Sequence, residues 1–405
     1  MSENKKLVPK RRFKEFKNTE AWEQRKLEDV CQITMGQSPD GSTYSEQPSD
    51  YILIQGNADL KNGWVEPRVW TTQKTKTASA GDLIMSVRAP AGAMGKTAYD
   101  GVIGRGVAAI KGNEFIYQLL VKMDIEGYWK KLSCGSTFES LNSDNIKNAD
   151  VCIPHIEEQE KIGSCFQQID NLITLHQRKL EKTKALKAAY LSEMFPAEGE
   201  RKPKRRFKGF ENTWEQRKLK QLANFTKGQG YSKSDLTDAG TPVILYGRLY
   251  TKYQSTISEV DTFVVPKIGS VYSTGKEVIV PASGETAEDI ARASAVVKSG
   301  ILLGGDLNII YPNKNISTIF LALSISNGQQ QKELAKKAQG KSVVHLHNAD
   351  LEGVTITYPC KEEQEKIESV FSNIDNLITL HQRNLEKLQN IKNAYLNEMF
   401  VGGVR

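Results

Sequence analysis

The chain repeats itself. Residues 154–195 read PHIEEQEKIGSCFQQIDNLITLHQRKLEKTKALKAAYLSEMF, and residues 359–400 read PCKEEQEKIESVFSNIDNLITLHQRNLEKLQNIKNAYLNEMF. Of these 42 positions, 29 are identical. A shorter repeat precedes each copy. Arg11-Arg12-Phe13-Lys14 through Trp22-Glu23-Gln24-Arg25-Lys26-Leu27 returns as Arg205-Arg206-Phe207-Lys208 through Trp214-Glu215-Gln216-Arg217-Lys218-Leu219. Self-similarity on this scale fixes the architecture before any local prediction. The chain is two halves of one plan: a basic lead-in, a variable region and a common terminal segment. The variable regions, 28–152 and 221–358, do not match each other. The frame must meet something the same twice, while the inserts are free to meet different things.

The terminal segment reads as one long helix. Its apolar positions run Ile162, Phe166, Ile169, Ile173, Leu180 and Tyr190, and in the second copy Ile367, Phe371, Ile374, Ile378, Leu385, Leu388, Ile391 and Tyr395. Steps alternating between four and three make a coiled-coil seam. Pro154 and Pro359 stand just before each segment, and Pro196 and Gly402 just after, where helix boundaries favour them. A helix of about 38 residues is about 57 Å long and cannot bury such a stripe alone. The partner is the other copy, antiparallel if a pseudo-two-fold axis relates them. His176 and His381 fall in the same stripe. Without convergent partners in the sequence, they read as packed residues that set register.

Both inserts look mixed and rich in strands. In the first, 51–55, 83–87 and 107–110 are short β-prone runs and 116–133 reads as helix. In the second, 242–245, 263–265, 278–280 and 307–311 are strand candidates. There, 286–294 reads as a helix capped by Thr286, and 316–338 as another. Gly135-Ser136-Thr137 leading to Asn142 resembles Gly340-Lys341-Ser342 leading to Asn348, so the two inserts are expected to share one fold. The reading is α+β: two mixed α/β domains of similar fold joined by two long antiparallel coiled-coil helices, with a pseudo-two-fold internal repeat. The expected boundaries are 1–152, 153–196, 197–358 and 359–405.

Hydrophobic residues at 39% and charged residues at 25% exclude wholesale disorder. No apolar run approaches the ~20 residues of a membrane span, and Met1-Ser2-Glu3-Asn4-Lys5-Lys6 lacks a signal-peptide core. A cytoplasmic chain with no membrane partner is expected. The five cysteines are scattered without a C-x-x-C pair, which suggests neither a disulfide framework nor a zinc ribbon. The net charge of +7 is concentrated: residues 1–27 and residues 196–220 each hold nine basic and four acidic side chains. Such runs attract phosphate backbones at long range, although a solvated linker is the simpler reading for either run alone.

Enzyme signatures fail in turn. Gly92-Ala93-Met94-Gly95-Lys96-Thr97 resembles a phosphate loop, but Pro90 occupies the position of its first glycine. The loop should also open a helix, whereas residues 98–102 read as turn and strand. G-x-G-x-x-G, H-E-x-x-H and G-x-S-x-G are absent. His345, His347 and Cys360 lack a second ligand pair at metal-binding spacing. Glu285, Glu288 and Asp289 form an acidic cluster, and two of them fit capping and dipole complementation at a helix start, the simpler account. A binding module is the better expectation, with no metal and no cofactor in this chain.

The arrangement resembles the specificity (S) subunit of type I restriction-modification enzymes over nearly the whole chain. Pro-x3-Glu-Gln-x-Lys-Ile leading into a long helix, at 154–162 and 359–367, is the most specific element. Gly81-Asp82-Leu83-Ile84-Met85-Ser86-Val87-Arg88, Lys227-Gly228-Gln229-Gly230 and Tyr246-Gly247-Arg248-Leu249-Tyr250 are also family-like. The resemblance implies two target recognition domains, each reading one half of a bipartite, asymmetric site in double-stranded DNA. It implies helices that set spacing and dock modification (methyltransferase) subunits. It also implies that catalysis lies in partners: methyl transfer from S-adenosylmethionine in modification subunits, and translocation and cleavage with ATP and Mg2+ in restriction subunits. The alternative is a coiled-coil scaffold whose inserts bind proteins.

Base reading needs paired donors and acceptors, such as Arg for guanine and Gln or Asn for adenine. In the first insert the DNA-binding candidates are Gln37, Ser38, Arg88, Lys96 and Arg105, beside glycine-rich loops. In the second they are Lys227, Gln229, Tyr231, Arg248, Tyr250 and Lys341, with His345 and Arg292 behind them. No catalytic residue is expected.

Overall fold

A computed structural model describes residues 7–133, 139–338, 340 and 343–402. The chain forms two compact units, Met1–Arg178 with Gln382–Arg405, and Lys179–His381. Each therefore contains chain from both sequence repeats.

The frame of the first unit is an antiparallel ribbon. Glu23–Lys26 pairs with Asp150–Ile153, so the insert leaves and returns on neighbouring strands. The insert builds two sheets. One runs in the order Gln32–Met35, Val107–Lys111, Leu83–Ser86, Met94–Lys96, Trp64–Val65, Leu60–Lys61. The other runs Tyr44–Ser45, Trp70–Thr71, Tyr51–Ile54, Gly101–Ile103, Thr77–Ala78. Leu83–Ser86 and Gly101–Ile103 are buried along their whole length, as central strands of a covered sheet are.

The second unit repeats this plan. Its ribbon pairs Glu215–Lys218 with Thr355–Tyr358. One sheet runs Ala223–Lys227, Leu307–Pro312, Glu277–Pro281, Ser294–Val296, Thr256–Ile257. The other runs Leu236–Thr237, Phe263–Val264, Thr241–Ile244, Ser299–Leu303, Tyr272–Thr274. Strand for strand, the first five positions of the larger sheet and all five of the other match the first insert, including the parallel pairs Tyr51–Ile54 with Gly101–Ile103 and Thr241–Ile244 with Ser299–Leu303. Two inserts without sequence similarity thus share one fold.

The terminal segments are helices Ile156–Glu193 and Lys361–Met399, 38 and 39 residues long. In the first unit, Phe166 meets Phe400 with ring centroids 5.7 Å apart, and Lys392 Nζ lies 2.6 Å from Asp170 Oδ1. Numbers rise along one helix as they fall along the other, so the pairing is antiparallel. The second unit shows the same sense: Phe195 meets Phe371 at 6.1 Å and Lys187 Nζ lies 2.5 Å from Asp375. Ile162, Phe166 and Ile169 are buried, as are Ile367, Phe371 and Ile374, and Leu180 and Leu396 are buried further along the two helices.

An aromatic cluster closes each core. Trp22 packs edge-on to Phe115 at 5.5 Å, and Phe115 stacks on Phe400 at 5.0 Å. In the second unit Trp214 meets Phe320 at 5.8 Å, and Phe320 stacks on Phe195 at 5.5 Å. The phenylalanine just past the end of each long helix thus completes the cluster whose tryptophan comes from the other repeat.

Three helices differ from the sequence reading. The expected helix over 116–133 is two, Glu114–Ile125 and Tyr128–Leu132, because Gly127 takes a left-handed φ of 72°. That over 316–338 divides into Thr318–Ile325 and Gly328–Lys337, with Gly328 at φ 60°. That over 286–294 stops at Ile290. Ser294–Val296 is instead a strand held between Glu277–Pro281 and Thr256–Ile257, where cross-strand pairing outweighs the weak helix preference of a Ser-Ala-Val run. The turn-and-strand reading after the phosphate-loop-like stretch holds: Gly101–Ile103 is a strand, and the stretch itself contains the strand Met94–Lys96.

Candidate nucleic-acid interface

The basic lead-ins divide into two kinds of side chain. Arg12 forks onto the Glu158 carboxylate at 2.7 and 2.6 Å and donates to the Thr19 and Glu20 carbonyls. Arg206 does the same to Glu363, at 2.7 Å for both bonds. The four side chains keep only 6%, 2%, 14% and 1% of their exposure, in that order. Arg11 and Arg205, more exposed, pair with Glu398 and Glu193. The consecutive arginines therefore strap the lead-in to the long helices, and are neither solvated linker nor open phosphate sites.

This explains the Glu-Gln of the repeated motif. Glu158 and Glu363 receive the arginine forks. Gln159 donates to Pro154 O at 2.9 Å and accepts from Asn113 Nδ2 at 3.0 Å. Gln364 donates to Pro359 O at 3.0 Å and accepts from Ser317 N at 2.9 Å. Each glutamine caps the turn into its helix and ties it to the insert.

At one end of each insert three chain segments converge on glycines. Gly36 passes so close to Gly104 that a Cβ on Gly36 would lie 2.1 Å from the Gly104 carbonyl oxygen. Gln37 N then donates to Ile103 O at 2.8 Å. Val87 N donates to Gly106 O at 2.9 Å, which brings Arg88 beside the Gly104-Arg105-Gly106 turn. Ser38 Oγ accepts from Arg105 N at 3.1 Å and from Nε at 3.3 Å. Gln37, Ser38, Arg88 and Arg105 are thus gathered at one point, with Gln37, Arg88 and Arg105 exposed.

The second insert repeats the backbone and changes the side chains. A Cβ on Gly228 would lie 1.9 Å from Gly304 O. Gln229 N donates to Leu303 O at 3.1 Å, and Ala282 N to Asp306 O at 2.7 Å. Gln229 stands where Gln37 stands, and both are exposed. Gly305 stands where Arg105 does, and Ser283 where Arg88 does. Arg88 bridges to Ser140 in the first insert, and Ser283 pairs with His345 in the second. His345 Nδ1 lies 3.3 Å from Ser283 Oγ, and its ring stacks on His347. Two guanidiniums at one tip correspond to a hydroxyl and a glycine at the other.

The remaining candidates sit differently. Lys227, just before the Gly228 crossing, is exposed. Lys96 is held 2.8 Å from Glu114, over the rings of Trp64 and Tyr117. Tyr231 is buried, its hydroxyl accepting from Lys267 N at 2.7 Å and bonded to Ser270 Oγ at 2.5 Å. Arg248 lies against Asp261 at 2.6 Å and Gln254 at 3.2 Å. Hydrogen bonds from Lys252, and next from Arg248, lower the Asp261 carboxyl to about 2. Tyr250 donates to Ser283 O at 2.6 Å, and burial raises its phenol above the usual range. Arg292 pairs with Asp289. Lys341 lies outside the described residues. Among the described residues, no cluster of three His, Cys, Asp or Glu side chains suits a metal ion, and no helix is long and apolar enough to cross a membrane.

Sequence reasoning missed the loop that flanks each tip. Thr75 Oγ1 donates to Gln37 O at 2.6 Å. In the second insert a Cβ on Gly269 would lie 3.5 Å from Gln229 Oε1. The Pro-Lys-Ile-Gly run at 266–269 was the available signal, since Pro and Gly mark a shaped turn.

The family described as the type I restriction modification DNA specificity domain matches residues 19–185 and 211–390. A provisionally named type I restriction enzyme specificity subunit, MjaX of Methanocaldococcus jannaschii, is 31% identical over 201 residues, 45% of this chain and 46% of that protein. The match thus spans about half the relative's length. The MjaIX specificity subunit of the same organism is 21% identical, with 96% of each chain covered. The crystal structure of a type I restriction-modification S subunit from M. genitalium superposes with a TM-score of 0.70 at 13% identity, covering 98% of this chain and all of that one. That likeness concerns the fold, and it extends over both units. With the family match on both repeats, this chain belongs to the family of type I restriction-modification DNA specificity subunits.

Proposed function

We propose that this chain is the sequence-reading subunit of a type I restriction-modification complex, each insert reading one half of a bipartite, asymmetric DNA site. The supporting observation is the pair of equivalent tips. One backbone crossing, Gly36 on Gly104 and Gly228 on Gly304, presents Gln37 with Arg88 and Arg105 in one insert. In the other it presents Gln229 with Ser283 and Gly305. Arginine suits guanine and glutamine suits adenine in the major groove, so the two tips suit different half-sites. Exposed Lys227 and Gln229 on one strand end combine a phosphate contact with a base contact.

The long helices set the distance between half-sites and dock the modification subunits, and restriction subunits join that assembly. Chemistry belongs to those partners, with S-adenosylmethionine for methyl transfer and ATP with Mg2+ for translocation and cleavage. This chain supplies recognition and no catalytic group.

The test is to co-express the chain with its modification subunit and map methylated positions genome-wide. Residues 28–152 are then exchanged for the matching region of a relative. One half of the methylated sequence should change while the other stays. Simultaneous change of both halves in a folded complex excludes one reader per insert.

A further inference from the structure

The loop beside Gln229 carries an isoleucine with nothing over it. Ile268 is fully exposed at 107%, and neighbouring Val265 is 68% exposed. Single exposed apolar residues are ordinary on protein surfaces. Three observations set this one apart.

First, the loop is held in shape. Lys267 N donates to the buried Tyr231 hydroxyl at 2.7 Å. Ser270 Oγ donates to Lys267 O at 2.6 Å. Lys267 Nζ pairs with Asp235 at 2.5 Å and lies over the Tyr231 ring. Gly269 turns at φ 84°, a conformation that favours glycine. Ile268 therefore projects from a fixed turn, already ordered before any partner arrives, which lowers the entropic cost of a contact.

Second, the turn adjoins Gln229, as the 3.5 Å approach at Gly269 shows. Ile268 is thus the chain neighbour of the glycine that meets the amide proposed to read a base. Third, the equivalent loop of the first insert is polar. Residues 72–76 are Thr-Gln-Lys-Thr-Lys. There Gln73 Oε1 accepts from Asp40 N at 2.6 Å, and Thr75 rests on Gln37 O. One fold position holds a polar loop in one reader and an apolar tip in the other.

The geometry points to Ile268 as a specificity residue that contacts the C5-methyl group of a thymine in the half-site read by the second insert. This assignment rests on the DNA-reading function above. In the major groove the thymine methyl is the one apolar feature that distinguishes a base, and it is read by apolar contact. Gln229 supplies the neighbouring hydrogen-bonded contact, and Tyr231 acts as a positioning residue for the loop.

The experiment uses the complex of this chain with its modification subunits. Once the methylated site is mapped, duplexes are made in which each thymine in turn becomes deoxyuridine, which removes only the methyl group. At one position the wild-type complex should bind about three- to fivefold more weakly, the effect of withdrawing one methyl group from an apolar contact. Ile268→Ala should abolish that penalty with an unchanged melting temperature, and Ile268→Val should retain most of it. If no thymine is sensitive, or if Ile268→Ala shows the same penalty, the assignment is overturned while the DNA-reading function stands. A complex that methylates no defined sequence overturns that function, and this assignment with it.

Discussion

The Arg12 guanidinium grips the Glu158 carboxylate with two parallel bonds of 2.7 and 2.6 Å across 146 residues of sequence. Arg206 and Glu363 repeat it across 157 residues. Both pairs join a lead-in to the first turn of a long helix. Forked, charge-assisted bonds are stronger than single ones, and burial makes the loss of either partner costly.

Arg12→Ala should cost about 3–5 kcal/mol, since it leaves a buried carboxylate without its partner. Arg12→Ala combined with Glu158→Leu should recover part of that loss. Urea denaturation of the chain measures both. A loss below about 1 kcal/mol, the value of an exposed pair, would show that the fork contributes little.

Gln37→Ala and Gln229→Ala remove exposed side chains without touching the core. Stability should change by no more than about 0.5 kcal/mol. Discrimination at one base pair of the corresponding half-site should fall by about 1–3 kcal/mol. Competition binding by the assembled complex against single-base-pair variants reads the effect. Uniform weakening across all variants would assign these glutamines to phosphate contact instead.

Gly228→Ala forces a Cβ to within 1.9 Å of the Gly304 carbonyl oxygen, so one of the two segments must move. Overpacking of this kind costs about 1–3 kcal/mol. The second half-site should be lost while the first is still methylated. Gly41→Ala serves as the control, since nothing lies within 4 Å of a Cβ there. Retention of both half-sites by Gly228→Ala would mean that the crossing does not shape the tip.

Burial raises the Cys31 thiol to about 11, against about 8.5 in an unfolded chain. A raised folded-state value means that this group's contribution is complete below about pH 8.5 and is lost as pH rises towards 11. Alkaline denaturation should therefore steepen over that window, and Cys31→Ala should flatten it. At pH 8, iodoacetamide should label exposed Cys360 well before buried Cys31 and Cys152. Peptide mass spectrometry gives the order, and early labelling of Cys31 would contradict its burial.

The features legible in sequence were those with local signatures. A 3–4 apolar rhythm gave the long helices, and their internal identity gave the duplicated frame. Short β-prone runs such as 83–87 and 278–280 fell on the central strands Leu83–Ser86 and Glu277–Pro281. Contacts between distant residues were not legible. Nothing near Arg12 marks Glu158 as its partner, so a basic run reads as a solvated linker or a phosphate attractant rather than a strap. The breaks at Gly127 and Gly328 turn on a positive φ that a helical pattern hides. At the tips, the dipeptide Gly-Gln at 36–37 and 228–229 was visible twice, but its equivalence needed the strand order of both inserts. Tyr231 and Arg248 look like free recognition groups in sequence, and their partners lie 36 and 39 positions away for the tyrosine and 6 and 13 positions away for the arginine.

The two-stranded ribbon beneath each insert also bears on how an insert can be replaced. Glu23–Lys26 lies against Asp150–Ile153, and Glu215–Lys218 against Thr355–Tyr358, so an insert is attached to the rest of the chain at one doorway. The residues at that doorway, Glu-Gln-Arg-Lys-Leu, are the same in both repeats, as is much of the long helix beyond it. Matching amino-acid sequence thus brackets each variable region on both sides. An exchanged insert that brings its own return strand thus meets an unchanged entry strand and an unchanged helix. Replacing an insert therefore leaves the long helices and their arginine straps as they were, so a new surface comes without rebuilding the frame.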